Sequence, residues 1–166
     1  RVANLVRKHY PEMPIVVCAA PNHHLNHKGY ERWNHLLSKE SFYDGYTVHL
    51  YPNLRSFQQR GEDGFRLAAD SLLKYCKVEV PNQLDSYRQV FGNDKQLWIT
   101  EWNLAVSEQY GNTSLQMLFV ATFYMEMRNY SKSHPIYGMT FHNLGEKEYV
   151  FSMINKAWEG EEELFG

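Results

Sequence analysis

No apolar run in this sequence approaches the roughly 20 residues that a membrane span needs, so no transmembrane segment is expected. An excess of one charge is missing too. Lys and Arg total 17 against 19 Asp and Glu, a formal net charge of −2. That removes the electrostatic case for nucleic acid as a partner. Cysteine is scarce, with two in 166 residues. Cys18 lies in an apolar run and Cys76 in a helical one, so both read as buried free thiols. A disulfide between them stays open, and with it the redox compartment. Repeats, low-complexity stretches and linkers are absent, and the length suits one domain over 1–166. There is neither a signal peptide nor an initiator Met, and the chain opens inside what reads as a helix over 2–9. The pattern predicts an excised piece of a longer parent. Its compartment stays open, a secreted or periplasmic parent being one reading.

Aromatic residues, by contrast, are plentiful: 15% of the chain, including 4 Trp and 12 Tyr. Large amphipathic rings suit sugar or peptide faces, and they also fill cores. The stretch Leu97-Trp98-Ile99-Thr100-Glu101-Trp102-Asn103 draws the eye first. An apolar, strand-like run delivers a carboxylate between two tryptophans. Burying a charge without partners is costly. Glu101 is therefore either half of an ion pair, with Arg55 or Arg60, or a functional carboxylate at a strand end.

The rest of the chain alternates. Residues 15–20 form a continuous apolar run, the pattern of a strand buried on both faces. Pro21 stops it, and Asn22, His23, His24, Asn26 and His27 make an imidazole-rich loop. A helix over 30–41 follows, with Trp33, Leu36 and Leu37 on one face. Asp44-Gly45 reads as a turn before a strand over 46–51. His49 and Tyr51, two apart, share a side of it. Phe65, Ala68, Ala69, Leu72, Leu73 and Cys76 recur at helical spacing over 64–77. Pro81 breaks that pattern, and a second short helix covers 84–91. A strand over 97–102, an apolar helix over 115–130 and a strand over 136–141 complete the series. Thr113 and its neighbours offer helix caps, and Met117, Met125 and Met127 read as core. Residues 149–158 read as strand then helix, and Glu161, Glu162 and Glu163 as a solvated end. Asn112-Thr113-Ser114 and Asn129-Tyr130-Ser131 match the glycosylation acceptor pattern, which arises often by chance.

The order β-α-β-α-α-β-α-β predicts an α/β fold with a parallel sheet. Strand ends fall near residues 20, 51, 102 and 142, which are 31, 51 and 40 apart. A TIM (β/α)8 barrel averages roughly 31 residues per unit. The chain thus holds about four βα units, half of such a barrel. A small open doubly wound sheet is the alternative. Polar residues gather where strands end: Asn22, His23 and His24, then His49 and Tyr51, then Glu101 and Asn103, then His142 and Asn143. Strand starts carry ordinary residues (Met13, Gly45, Gln96, Ile136). In parallel βα folds the C-terminal edge carries the site.

The pair His49-x-Tyr51-Pro52 and Ile99-Thr100-Glu101-Trp102-Asn103 resembles the clan-A retaining glycoside hydrolases, with arabinofuranosidase-like and cellulase-like members as the nearest echoes. The resemblance spans about residues 15–143 and rests on short motifs. It implies the C-terminal half of a (β/α)8 barrel, strands five to eight. Glu101 would be the nucleophile at the end of strand seven, and Tyr51 on strand six its hydrogen-bond partner. His49 would be a subsite residue, and His142 and Asn143 would sit on the strand-eight rim. With Asn22, His23 and Asn103 at the other strand ends, and Trp102 as a stacking platform unless it simply packs, they would contact substrate, a poly- or oligosaccharide. No cofactor and no metal are implied. Retaining hydrolysis also needs a carboxylic acid about 5–5.5 Å from the nucleophile. The family places it after an Asn on strand four, upstream of Arg1, so this chain alone is expected to be inactive. The Trp often found on strand eight is replaced by Phe141-His142-Asn143.

Two other functions compete. His23, His24, His27, His49, Glu101 and His142 could serve a metal-dependent hydrolase. Against it, such barrels usually end the last strand with Asp, and none stands here. A non-catalytic carbohydrate-binding or structural barrel module is the other. A half barrel would also expose two sheet edges, which predicts self-association, for instance as a homodimer.

Overall fold

The computed structural model describes residues 2–21, 28–57, 61–104 and 113–142. Helix α1 (Val2–His9) precedes strand β1 (Val16–Cys18), helix α2 (Lys28–Leu37) and strand β2 (Gly45–Leu50). A short 3-10 turn (Arg55–Phe57) leads into α3 (Gly61–Lys74) and then α4 (Val80–Phe91). Strand β3 (Gln96–Trp102), helix α5 (Ser114–Tyr130) and strand β4 (Ile136–Phe141) follow. The four strands form one parallel sheet in the order β1-β2-β3-β4. A doubly wound sheet reverses its strand order at a switch point. A sequential order has no such point and is the arrangement of a (β/α)8 barrel. The fold is α/β, four parallel strands of a partial TIM barrel, and the doubly wound alternative falls. Among the described residues no helix is long and apolar enough to cross a membrane.

Alternation along β2 sorts its side chains. Tyr46, Val48 and Leu50 are buried against the helices, while Thr47 is half-buried and His49 exposed on the other face. Leu97 and Ile99 of β3 join the helix side. Tyr46 stacks on Phe91 of α4 at 4.5 Å. One stripe of α3, α4 and the turn between them meets this face: Ala68, Leu72, Tyr75, Cys76, Val80, Leu84, Tyr87 and Phe91. Leu115, Phe119, Phe123 and Met127 of α5 complete the core. Burying each large apolar side chain contributes roughly 1.5–3 kcal/mol.

The structure revises several expectations. Pro81 does not separate two helices. The chain passes from α3 to α4 through a wider π turn (Tyr75–Glu79), closed by the Val80 N–H on the Tyr75 carbonyl. That wider turn places Pro81 in the first turn of α4, where a missing N–H costs little. Strand β1 is not buried on both faces. It spans three residues, pairs only with β2 among the described residues, and leaves Val16 and Val17 half-buried and Cys18 exposed. Cys76 is buried as expected, and both cysteines are free. Met127 is core, but Met117 and Met125 are exposed. Trp33 and Leu36 are exposed too, and only Leu37 of that expected face packs on the core. Gly45 opens β2 rather than ending a turn. A Cβ there would lie 2.6 Å from the Gln96 carbonyl oxygen. The expected tail elements over 149–158, the acidic end and the sequon residue Asn112 lie outside the described residues.

Candidate active site

The site is built where β2, β3 and β4 end. Strict alternation along β3 would leave Glu101 on the side of Leu97 and Ile99, facing the helix layer. The register prevents it. Val48 lies opposite Ile99, but His49 lies opposite Glu101, so Thr100 is an extra residue in β3. A bulge re-aims the side chains that follow it. Glu101 turns to the open face beside His49, and Trp102 turns to the helices. Trp102 is 5% exposed, stacks on Phe123 at 4.4 Å and meets Phe141 edge-on at 5.0 Å.

On the open face the side chains converge on one carboxylate oxygen. The Tyr51 hydroxyl donates to Glu101 Oε2 at 2.9 Å. His49 Nδ1 lies 3.3 Å from the same oxygen, and its Nε2 is 3.2 Å from Thr100 Oγ1. His142 Nδ1 is 2.9 Å from the Tyr51 oxygen. Tyr51 has one proton, and an ionised carboxylate only accepts. With that proton on Glu101, His142 must donate from Nδ1. Burial first, and the Glu101 hydrogen bond second, raise the Tyr51 pKa above its ordinary value. The phenol therefore stays a protonated donor at neutral pH. Glu101 keeps 37% of its side-chain surface exposed. Its Oε1 has no partner among the described residues.

Each expected site residue can now be placed. Tyr51, Glu101, His49 and His142 come together. His49 and Tyr51 share a side of the sheet, as their spacing requires. Asn103 is fully buried: its Nδ2 donates to the His142 carbonyl at 2.7 Å, and its Oδ1 accepts from the Leu104 N–H at 2.7 Å. Trp102 and Asn103 therefore hold the strand ends from behind rather than lining the open face. Asn22, His23 and Asn143, with His24 and His27, lie outside the described residues. So do Arg60 and the side chain of Arg55. The basic side chain set beside Glu101 among the described residues is His49, with Nδ1 3.3 Å from Oε2. Among the described residues no three His, Cys, Asp or Glu side chains are grouped to hold a metal ion. Two participants escaped sequence reasoning. The sequence shows Thr100 only as part of a motif, because the bulge it makes leaves no mark on periodicity. Gln116, 3% exposed, donates to Asn103 Oδ1 at 3.0 Å; a lone amide in an apolar helix was the available clue.

An oriented carboxylate with one oxygen held and the other open can attack an electrophilic carbon, accept a proton or bind a polar ligand. No family model matches the chain, and no curated protein matches it. Solved structures do. AbfB, a family 51 alpha-L-arabinofuranosidase from Bifidobacterium longum, superposes with a TM-score of 0.61 at 12% identity. The match covers 93% of this chain and 34% of that one. An alpha-L-arabinofuranosidase from Thermotoga maritima, solved as an arabinose complex, gives a TM-score of 0.49 at 15% identity, over 93% of this chain and 30% of that one. The chain thus spans about a third of the length of these structures. At such identity the first likeness bears on the fold, a part of a (β/α)8 barrel.

Proposed function

We propose that this chain is the strand-five-to-eight part of a retaining glycoside hydrolase barrel acting on O-glycosidic bonds of poly- or oligosaccharides. The observation that carries the reading is the Tyr51–Glu101 hydrogen bond of 2.9 Å at the C-terminal strand edge, with Glu101 Oε1 unpartnered among the described residues. Glu101 Oε1 attacks the anomeric carbon. The bond to the leaving oxygen breaks, and that oxygen takes a proton from a carboxylic acid that another segment supplies. Water then cleaves the glycosyl ester, with the same acid acting as base. Tyr51 holds Oε2 through both steps. His49, His142, Asn22, His23 and Asn143 line the sugar subsite, and Trp102 and Asn103 support it. The family 51 likeness makes an arabinofuranoside the first substrate to try.

Among the described residues β1 and β4 each pair with one strand, an arrangement that favours self-association, a second copy closing both edges at once. A clean monomer by light scattering would remove that part.

The test is mechanism-based labelling of the longer parent with activated 2-fluoro-glycosides, followed by peptide mapping. An activated leaving group departs without help from an acid, so labelling reports the nucleophile alone. A label on Glu101 is expected. No label across the panel, with the fold intact, overturns the reading in favour of a non-catalytic carbohydrate-binding module. Stoichiometric zinc by elemental analysis would instead favour a metal-dependent hydrolase.

A further inference from the structure

His142 reaches Tyr51 only if its ring is held toward β2. It lies one residue beyond Phe141, the last residue of β4. Both of its backbone polar groups are tied to the end of β3. Its N–H donates to the Trp102 carbonyl at 3.2 Å, and its carbonyl accepts from Asn103 Nδ2 at 2.7 Å. A side-chain amide thus supplies a bond that a backbone N–H would supply in a continuing sheet. The amide has one competent orientation. Leu104 N–H is a backbone donor, so the Asn103 atom accepting from it at 2.7 Å is the oxygen. Gln116 Nε2, from the first turn of α5, donates to that same oxygen at 3.0 Å. Asn103 is 0% and Gln116 3% exposed, so water does not compete for these bonds. A buried amide that loses its partner keeps its full desolvation cost, which makes the arrangement stiff.

We propose that Gln116 and Asn103 form a positioning pair that fixes His142 as the Nδ1–H tautomer facing Tyr51, so that the single Tyr51 proton stays on Glu101. The bonds run from α5 to the carboxylate: Gln116 to Asn103, Asn103 to His142, His142 to Tyr51, Tyr51 to Glu101. The unconstrained histidine side chain prefers the Nε2–H tautomer, so the state is a distinctive one. Its use in catalysis rests on the glycosidase reading. Its existence does not, and the test reads the proton rather than turnover.

The experiment records imidazole nitrogen chemical shifts of the ¹⁵N-labelled chain, above the titration of its histidines. Wild type, Asn103→Ala and Gln116→Met are compared, with circular dichroism to confirm folding. Wild type is expected to show His142 protonated at Nδ1. Both variants should shift His142 toward the free-histidine tautomer mixture while the exposed His35 of α2 keeps its signals. A wild-type Nε2–H state overturns the proposal. So does an unchanged His142 in folded Gln116→Met, or a shift of His142 and the distant His35 together. Should Asn103→Ala not fold, Gln116→Met decides the matter alone, since it keeps volume and removes only the amide.

Discussion

Two carboxylates sit at opposite ends of the same sheet, and they differ in every respect that separates structure from chemistry. Asp44 lies just before β2. Both of its oxygens are engaged by the Arg7 guanidinium, and Oδ2 also accepts the Ile15 N–H. Its own N–H donates to the Ile15 carbonyl, and its carbonyl accepts the Gln96 N–H. It pins the entries of three strands. The Arg7 hydrogen bond above all holds its pKa below the usual carboxylate range. Glu101, next to last in β3, has one oxygen held by a phenol and an imidazole, and the other without a partner among the described residues. A carboxylate with both oxygens on a guanidinium is neutralised and held, which suits it to structure. One oriented by weaker donors on a single oxygen keeps its nucleophilic atom.

Substitutions can break this contrast. The largest effect is expected for Glu101→Gln in the parent. Turnover should fall by roughly 10⁴-fold or more, the scale of losing a nucleophile, with the melting temperature little changed. Residual kcat above a tenth of wild type would end the nucleophile assignment. Trp102→Ala should separate position from chemistry. Its ring is packed among Phe119, Phe123 and Phe141, so unfolding free energy should drop by about 3–5 kcal/mol. A loss under about 1 kcal/mol in urea denaturation would mean the bulge does not turn Trp102 inward. Tyr51→Phe removes one bond to a charged group, worth roughly 1.5–3 kcal/mol. In kcat/KM that is roughly 10- to 100-fold, whereas an unchanged value would leave Tyr51 without a role. The smallest effect is expected for Asp44→Asn, about 1 kcal/mol of stability for a part-exposed pair, with Glu101 labelling unaltered.

The Asp44 contribution also has a sign in pH. A carboxyl whose folded pKa lies below its unfolded value stabilises above the unfolded value, near 3.9. That stabilisation disappears as pH falls through the folded pKa. Wild type should therefore lose more stability than Asp44→Asn between pH 5 and the acid limb. Parallel urea midpoints across that range would show the pair to be without consequence.

The C-terminal strand edge was legible in the sequence because polar residues there interrupt apolar runs. His49 and Tyr51 could be put on one side by counting. The Arg7–Asp44 pin was not legible, since the strand starts read as ordinary residues and the two partners lie 37 positions apart. Met117 and Met125 read as core because helix α5 is apolar almost all round, which hides the face it buries. Cys18 and the strand around it read as buried because an apolar run does not say whether a neighbour covers its outer edge.

The sequence by itself determined four strands, their parallel alternation with helices and the identity of the side chains at their ends. Periodicity and local propensity encode those, and both are short-range. The tertiary structure alone decided the side on which Glu101 points. It set the strand order that distinguishes a barrel arc from a doubly wound sheet, and it brought His142 across 91 residues to Tyr51. Each of these depends on register between strands distant in the chain. One extra residue at Thr100 turns the carboxylate from the helix layer to the open face, and no count along a single strand reveals it.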